Sequence, residues 1–139
     1  MIVNDLTEIK LFNVSKRGIP NEEKIALRVN ESINLGQYGI LIGIRLPSTN
    51  GAVPLRDNMF WFGDLWVKKD DWIFIFTGSG ERRSIKTDDN KNDIHIGFWG
   101  KDKTIMADPQ VVPILFKIES VVLPELPEDK PQYKSLATY

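Results

Sequence analysis

Short apolar or alternating runs, separated by turn residues, follow one another along most of the chain. The clearest lies between Glu23 and Val29, where Ile, Leu and Val occupy every second position and Lys, Ala and Arg stand between them. A period of two is typical of a β-strand with one buried face, whereas a helix repeats its apolar residues every three or four positions. The pattern therefore predicts an all-β chain.

We predict about eight to ten strands from these runs. They cover residues 9–14, 23–29, 33–46, two pieces within 59–69, 71–77, 82–87, 94–99, 104–106 and 111–122. The run 33–46 contains three glycines, each of which would cost about 1 kcal/mol inside a helix, so a bent or bulged strand is favoured there. Pro113 has no N–H to give a neighbouring strand and should lie at a sheet edge or a bulge.

Three further segments complete this interpretation. Residues 21–32 leave a helical alternative open, because Asn21 could cap a helix that has Glu22 and Glu23 in its first turn. Residues 47–57 are polar with proline near both ends, which predicts a long exposed loop. Residues 123–139 are rich in proline and charge, so we expect one β-sandwich domain over 1–122 followed by an extended tail or linker.

Three stretches of the chain resemble the lamin-tail domain, an immunoglobulin-like β-sandwich. Residues 23–40 are similar to its opening strand, glycine-aromatic corner and second strand, and residues 65–78 to its central hairpin. Residues 95–105 are similar to an aromatic strand and the strand after it, although Met106-Ala107 stands where the family usually has Trp-Asn. The resemblance extends over about residues 23–118 and implies an antiparallel, immunoglobulin-like sandwich that acts as a non-enzymatic interaction module.

Length and charge narrow the classes of partner. The chain has 139 residues, the usual length of one domain. Its 18 basic and 19 acidic side chains give a net charge of -1, so no overall positive electrostatic field attracts nucleic acid or anionic membranes. No apolar run approaches the roughly 20 residues that cross a bilayer, and no signal peptide is recognisable. The absence of cysteine excludes thiol chemistry and favours a cytoplasmic location only weakly.

The sequence offers little support for catalysis. His95 is the only histidine and lies within an alternating run, where a structural or surface role is usual. No Gly-x-Ser-x-Gly motif marks a nucleophilic serine. The Gly-Ser-Gly at residues 78–80, next to Arg82 and Arg83, could be imagined as a phosphate cradle, but it lacks the Lys-Ser/Thr pair and the helix of a P-loop, so we interpret it as a turn.

We expect neither a metal nor a cofactor. Asp88, Asn90 and Asn92 place oxygen ligands at alternate positions, as at the start of a calcium loop. The sixth position is Asp93 instead of glycine and the twelfth is Trp99 instead of glutamate. An exposed hairpin loop is therefore the preferred interpretation.

Aromatic residues give the strongest functional signal. All four tryptophans lie within residues 60–99, together with five phenylalanines. Alternation places Trp72, Phe74 and Phe76 on one face of their strand and isoleucines on the other, so its second face must be covered by the chain, by another copy or by a ligand. Trp99 falls on the face opposite the apolar residues of its strand, which makes it the better candidate for an exposed platform.

These observations predict a non-catalytic protein-binding or assembly module whose partner is a protein or a second copy. The alternative is a carbohydrate-binding domain that uses exposed tryptophans as stacking platforms. The other open possibility is that the tryptophans belong to the edge of the core. The candidate partner surface comprises Trp61, Trp66, Trp99, His95, Arg82 and Arg83.

Overall fold

A computed structural model of the protein describes residues 5–126, and these residues form an all-β structure. The strands are β1 (Ile9–Ser15), β2 (Lys24–Val29), β3 (Ile33–Asn34), β4 (Tyr38–Arg45), β5 (Ala52–Trp61), β6 (Trp66–Val67), β7 (Trp72–Phe76), β8 (Arg83–Lys86), β9 (Asp93–Phe98) and β10 (Val111–Lys117). The alternation in 23–29 is confirmed as a strand, and the helical alternative is wrong. Within the described part, no helix could span a bilayer.

The strands form three sheets, an arrangement consistent with a β-sandwich. One has five strands in the order β1-β2-β7-β9-β8, one has three in the order β10-β4-β5, and β3 pairs with β6. All pairs are antiparallel except β7 and β9, which run parallel. The expectation of a purely antiparallel structure is wrong at this pair, because the chain places β8 at the sheet edge first and then returns along β9 between β8 and β7.

The core lies against one face of the five-stranded sheet, here called its inner face. Ile25 pairs with Ile75 and Leu27 with Ile73 across β2 and β7, and all four side chains are almost fully buried. Ile40 belongs to the same buried cluster and comes from the three-stranded sheet. Burying an Ile or Leu side chain contributes about 1.5–3 kcal/mol, so these alternating positions provide much of the drive to fold.

A buried carboxylate, that of Glu23, ties the start of β2 to two distant loops. It accepts hydrogen bonds from the backbone N–H of Gly18 (2.8 Å), Ile105 (2.9 Å) and Met106 (3.1 Å) and from the hydroxyl of Thr77 (2.9 Å). Burial raises the pKa of Glu23, but these hydrogen bonds outweigh it and leave the pKa below its ordinary value. The predicted strand 104–106 is wrong because two of its amides bind this carboxylate instead of a neighbouring strand.

Two other boundaries differ from the prediction. The loop predicted over 47–57 is wrong from Ala52 onward, where β5 begins and accommodates Pro54, because an edge strand needs fewer N–H donors. The last strand ends at Lys117, and residues 118–126 have no regular structure. Pro113 lies in an edge strand as expected. The remainder of the predicted tail, 127–139, lies outside the described residues.

The outer strands of the two larger sheets differ in how well they are protected from pairing with another chain. The β1 strand has a register shift between Leu11 and Asn13, and β10 contains Pro113. The β5 strand is bulged, because Leu41 pairs with Met59 but Gly43 pairs with Pro54. Bulges and prolines interrupt strand addition at an edge. Only β8, among these four strands, has a regular register and no proline.

Candidate functional site

A cleft of about 420 Å³ opens beside β8 on the inner face of the sheet. Its walls are mainly apolar and come from β5, β7, β9 and the segment after β5. The lining residues are Leu35, Phe60, Trp61, Phe62, Leu65, Ile73, Ile75, Gly80, Arg82, Arg83, Ser84, His95, Ile96, Gly97 and Phe98. An apolar cleft of this size with a few convergent polar groups is typical of a binding site.

The pairing of β8 with β9 determines which backbone groups remain at the sheet edge. Beyond the hairpin loop, the N–H of Thr87 donates to the carbonyl of Asn92 at 2.9 Å, so these two residues form a hydrogen-bonded pair. In an antiparallel ladder such pairs alternate with pairs whose N–H and C=O groups point away from each other. The backbone N–H and C=O groups of Ser84 and Lys86 therefore point away from β9, toward the free edge of the sheet next to the cleft.

Ser84, His95 and Asp71 form a continuous chain of side-chain hydrogen bonds. Ser84 lies directly opposite His95, and its Oγ is 2.9 Å from Nδ1. On the other side of the ring, Nε2 is 3.0 Å from Oδ2 of Asp71. The ionised carboxylate can only accept, so in the neutral imidazole Nε2 carries the proton and Nδ1 accepts from the Ser84 hydroxyl.

Asp71 is almost completely buried and remains ionised. Burial raises its pKa, but hydrogen bonds from Asn92, His95, Asp93 and Lys68 outweigh this and lower the pKa to about 2. The carboxylate thus joins the turn before β7 to the β8–β9 hairpin. It fixes both the position and the tautomer of the imidazole.

The same region contains a group of potential metal ligands whose atoms are occupied by hydrogen bonds. One ligand atom each from Asp71, Asp93 and His95 lies within 4.8 Å of the others. However, Nε2 of His95 is used by Asp71, and Asp93 pairs with Lys86 at 2.9 Å. The arrangement is that of a polar network rather than an open coordination site.

Four of the six predicted partner-surface residues border the cleft, and two do not. Trp61, Arg82, Arg83 and His95 line it, although alternation places the Arg83 side chain on the face of β8 opposite Ser84. The indole N–H of Trp61 donates to Gly36 at 2.9 Å, and the guanidinium of Arg82 donates to Phe62 at 2.8 Å. Both side chains are therefore held in place before any ligand binds.

The remaining two tryptophans have different environments. Trp66 is 73% exposed on β6, outside the cleft lining. Trp99 is half-buried against the core and lies 5.5 Å from Phe60 between ring centroids. The expectation that Trp99 is the exposed platform is wrong, because Gly97 on the same face leaves room for the Phe60 ring, which in turn packs on Trp99.

The apolar outer face of β7 is covered largely by the chain itself. The Nζ of Lys24 lies 4.1 Å from the ring centroid of Phe74, and the guanidinium of Arg28 lies 4.6 Å from that of Trp72. Phe76 stacks on Phe98 with 5.5 Å between centroids. The sequence left three covers open for this face, namely the chain itself, another copy or a ligand. The chain's own side chains provide the first of these.

Ser84 and Asp71 are functional candidates that the sequence reasoning missed. Ser84 does not lie in a glycine-rich elbow, the motif expected of a nucleophilic serine, but meets His95 through strand pairing. Counting symmetrically outward from the polar loop 88–91 of the predicted hairpin would have placed Ser84 opposite His95. Nothing in the sequence indicated the role of Asp71, which depends on the packing of β7 beside β9.

No model of a known protein family matches the chain, and no curated protein or solved structure matches it. The lamin-tail resemblance therefore stays a prediction.

Proposed function

We propose that the protein is a protein-binding module that takes an extended segment of its partner as an added strand along β8. The observation that carries the proposal is the combination of a sheet edge that has neither a bulge nor a proline with an apolar cleft directly beside it. The proposal includes an immunoglobulin-like topology. The lamin-tail resemblance supports the proposal because it implies an interaction module.

Strand addition would use both parts of the site. The outward backbone groups of Ser84 and Lys86 supply main-chain hydrogen bonds, which give affinity without regard to sequence. Alternate side chains of the added strand point toward the cleft, where Phe60, Phe62 and Leu65 favour an apolar residue. Arg82 lies at the same site and favours an acidic or carbonyl group nearby.

Selection from a displayed library of random peptides tests the proposal. Peptides selected on the wild-type protein should share an apolar residue in an extended pattern and should lose binding to Lys86→Pro, which removes an outward N–H without breaking the ladder to β9. Lys86→Ala is the matched control and should retain binding. Selected peptides that bind wild type and Lys86→Pro equally would contradict strand addition at β8.

Self-association through β8 is tested by a separate experiment with the same variant. If the occupant of β8 is a second copy, sedimentation of the wild-type protein alone gives a dimer, and Lys86→Pro gives a monomer. A monomer at all concentrations leaves a different protein as the partner.

A carbohydrate-binding function is the second candidate and rests on two exposed indoles. Trp66 is 73% exposed and Trp61 is 54% exposed, and they lie near the turn formed by Asn34 and the residues after it. Exposed aromatic rings can stack on sugar rings. A glycan array scored with wild type and Trp66→Ala tests this function: binding that disappears in the variant supports it, and no binding to any glycan rejects it.

A further inference from the structure

We propose that Ser84 is a nucleophile, activated by His95 and oriented through Asp71, and that the cleft accepts an ester with an apolar acyl group. The inference goes beyond strand addition, since the nucleophile and its activation rest on the side chains of the cleft, and the two proposals share only the outward N–H of Ser84. It also opposes the expectation from the sequence that the chain is not an enzyme.

The hydrogen-bond chain has the polarity that nucleophilic catalysis requires. Ser84 Oγ is 2.9 Å from Nδ1 of His95, which is within reach for proton transfer, and Asp71 holds the proton on Nε2. In the common Ser-His-Asp arrangement, Nε2 accepts from the serine and Nδ1 donates to the aspartate. Here the two ring nitrogens have exchanged roles, but one still accepts from the serine and the other still donates to the carboxylate. Ser84 is solvent-exposed whereas His95 is buried, so the hydroxyl is the accessible member.

Groups that could stabilise a developing oxyanion lie beside the hydroxyl. The backbone N–H of Ser84 points out of the sheet and has no partner in β9. Arg82 lies two residues earlier and lines the same cleft, and its guanidinium is already fixed by the carbonyl of Phe62 at 2.8 Å. Fixed donors near the reacting atom are the usual source of such stabilisation.

The proposed reaction is an ordinary acyl transfer followed by hydrolysis. Ser84 Oγ forms a bond to the ester carbonyl carbon while its proton passes to Nδ1 of His95. The bond to the leaving alkoxide then breaks, and the alkoxide takes the proton from Nδ1. Water attacks the acyl-serine in the same way, which releases the carboxylic acid and restores Ser84.

Apolar surfaces determine the class of substrate. The cleft next to Ser84 is walled by Phe60, Phe62, Leu65 and Ile73, and its volume of about 420 Å³ suits a small acyl group. We therefore expect short aliphatic or aromatic esters to react in preference to charged ones.

A fluorophosphonate probe tests the nucleophile directly, since serine attack at phosphorus displaces fluoride and leaves a stable adduct. The wild-type protein should gain one adduct by intact mass, located on Ser84 by peptide mapping, and should hydrolyse 4-nitrophenyl butyrate. Ser84→Ala should lose the adduct and the hydrolysis, whereas Ser79→Ala, the matched control in the neighbouring turn, should retain both. Circular dichroism and thermal melting confirm that each variant is folded.

Substitution of His95 separates activation from mere accessibility. His95→Gln should lower the labelling rate by about 10²- to 10⁴-fold, the usual contribution of a general base. No adduct on the folded wild-type protein, or an adduct that persists in Ser84→Ala, would overturn the proposal, even if peptides bind at β8.

Discussion

The carboxylate of Glu23 accepts a hydrogen bond from the backbone N–H of Met106 at 3.1 Å, across 83 positions of the chain. Met106 itself is completely buried, so a charged group and an apolar side chain fix the same loop. The loop before β10 is thus anchored to the start of β2 although it belongs to none of the three sheets.

Substitution of this carboxylate should destabilise the protein strongly. Glu23→Gln keeps the shape but replaces one accepting oxygen by an NH₂ group that faces N–H donors, so we expect a loss of about 2–4 kcal/mol in the free energy of unfolding. Urea denaturation measures it. Glu22→Gln, at the exposed neighbouring position, should change the free energy by less than about 0.5 kcal/mol. Equal effects of the two variants would contradict the anchoring role.

Acid should destabilise the fold because two buried carboxylates must be protonated. The pKa of Asp71 is about 2 in the folded protein and 3.8 in its ordinary state, and the pKa of Glu23 is also lowered. Groups with a depressed folded pKa contribute stability above the unfolded pKa and lose it as the pH falls toward the folded value. We expect the melting temperature to fall between about pH 5 and pH 2, with Asp71 alone contributing about 2 kcal/mol.

The Asp71→Asn variant is the control for this pH dependence. It should be less stable at pH 7 but should lose less stability on acidification than the wild-type protein. A variant with the same acid dependence as wild type would show that Asp71 is not responsible.

The tryptophans should fall into two classes of stability effect. Trp99 packs on Phe60 and the core, so Trp99→Ala should cost about 2 kcal/mol or more. Trp66 is 73% exposed, so Trp66→Ala should cost less than about 0.5 kcal/mol. Acrylamide quenching of fluorescence gives an independent check, because removal of Trp66 should reduce the quenched fraction more than removal of Trp99. The opposite order would contradict the described packing.

Much of the fold was accessible from the sequence, since alternation depends on local burial alone. The strands β2, β7 and β9 follow directly from it, and the placement of Pro113 at an edge follows from its missing N–H. The segment at Ile105 was mispredicted because its amides bind Glu23, a contact between distant positions that no periodic pattern records.

The candidate site was only partly accessible for the same reason. Trp61 and Arg82 could be selected as unusual residues in a strand-rich region. Their position around one cleft depends on how β5 packs against β8 and β9. The link between Ser84 and Asp71 through His95 also requires the parallel pairing of β7 and β9, which the sequence did not predict.

The free protein already provides a test of the β8 edge. Ser84 and Lys86 direct their N–H groups away from β9, whereas those of Arg83 and Ile85 belong to the ladder. Hydrogen exchange followed by NMR should therefore be fast at Ser84 and Lys86 and slower at the other two. Uniform protection along β8 would contradict the assigned orientation.

Strand addition at β8 is tested most directly by the same exchange measurement with a library-selected peptide bound. Strand addition predicts that the amides of Ser84 and Lys86 become protected, while those of the bulged edge strand β5 do not change. Protection at β5 instead, or binding without any protection at Ser84 and Lys86, would contradict the proposal that β8 receives the partner.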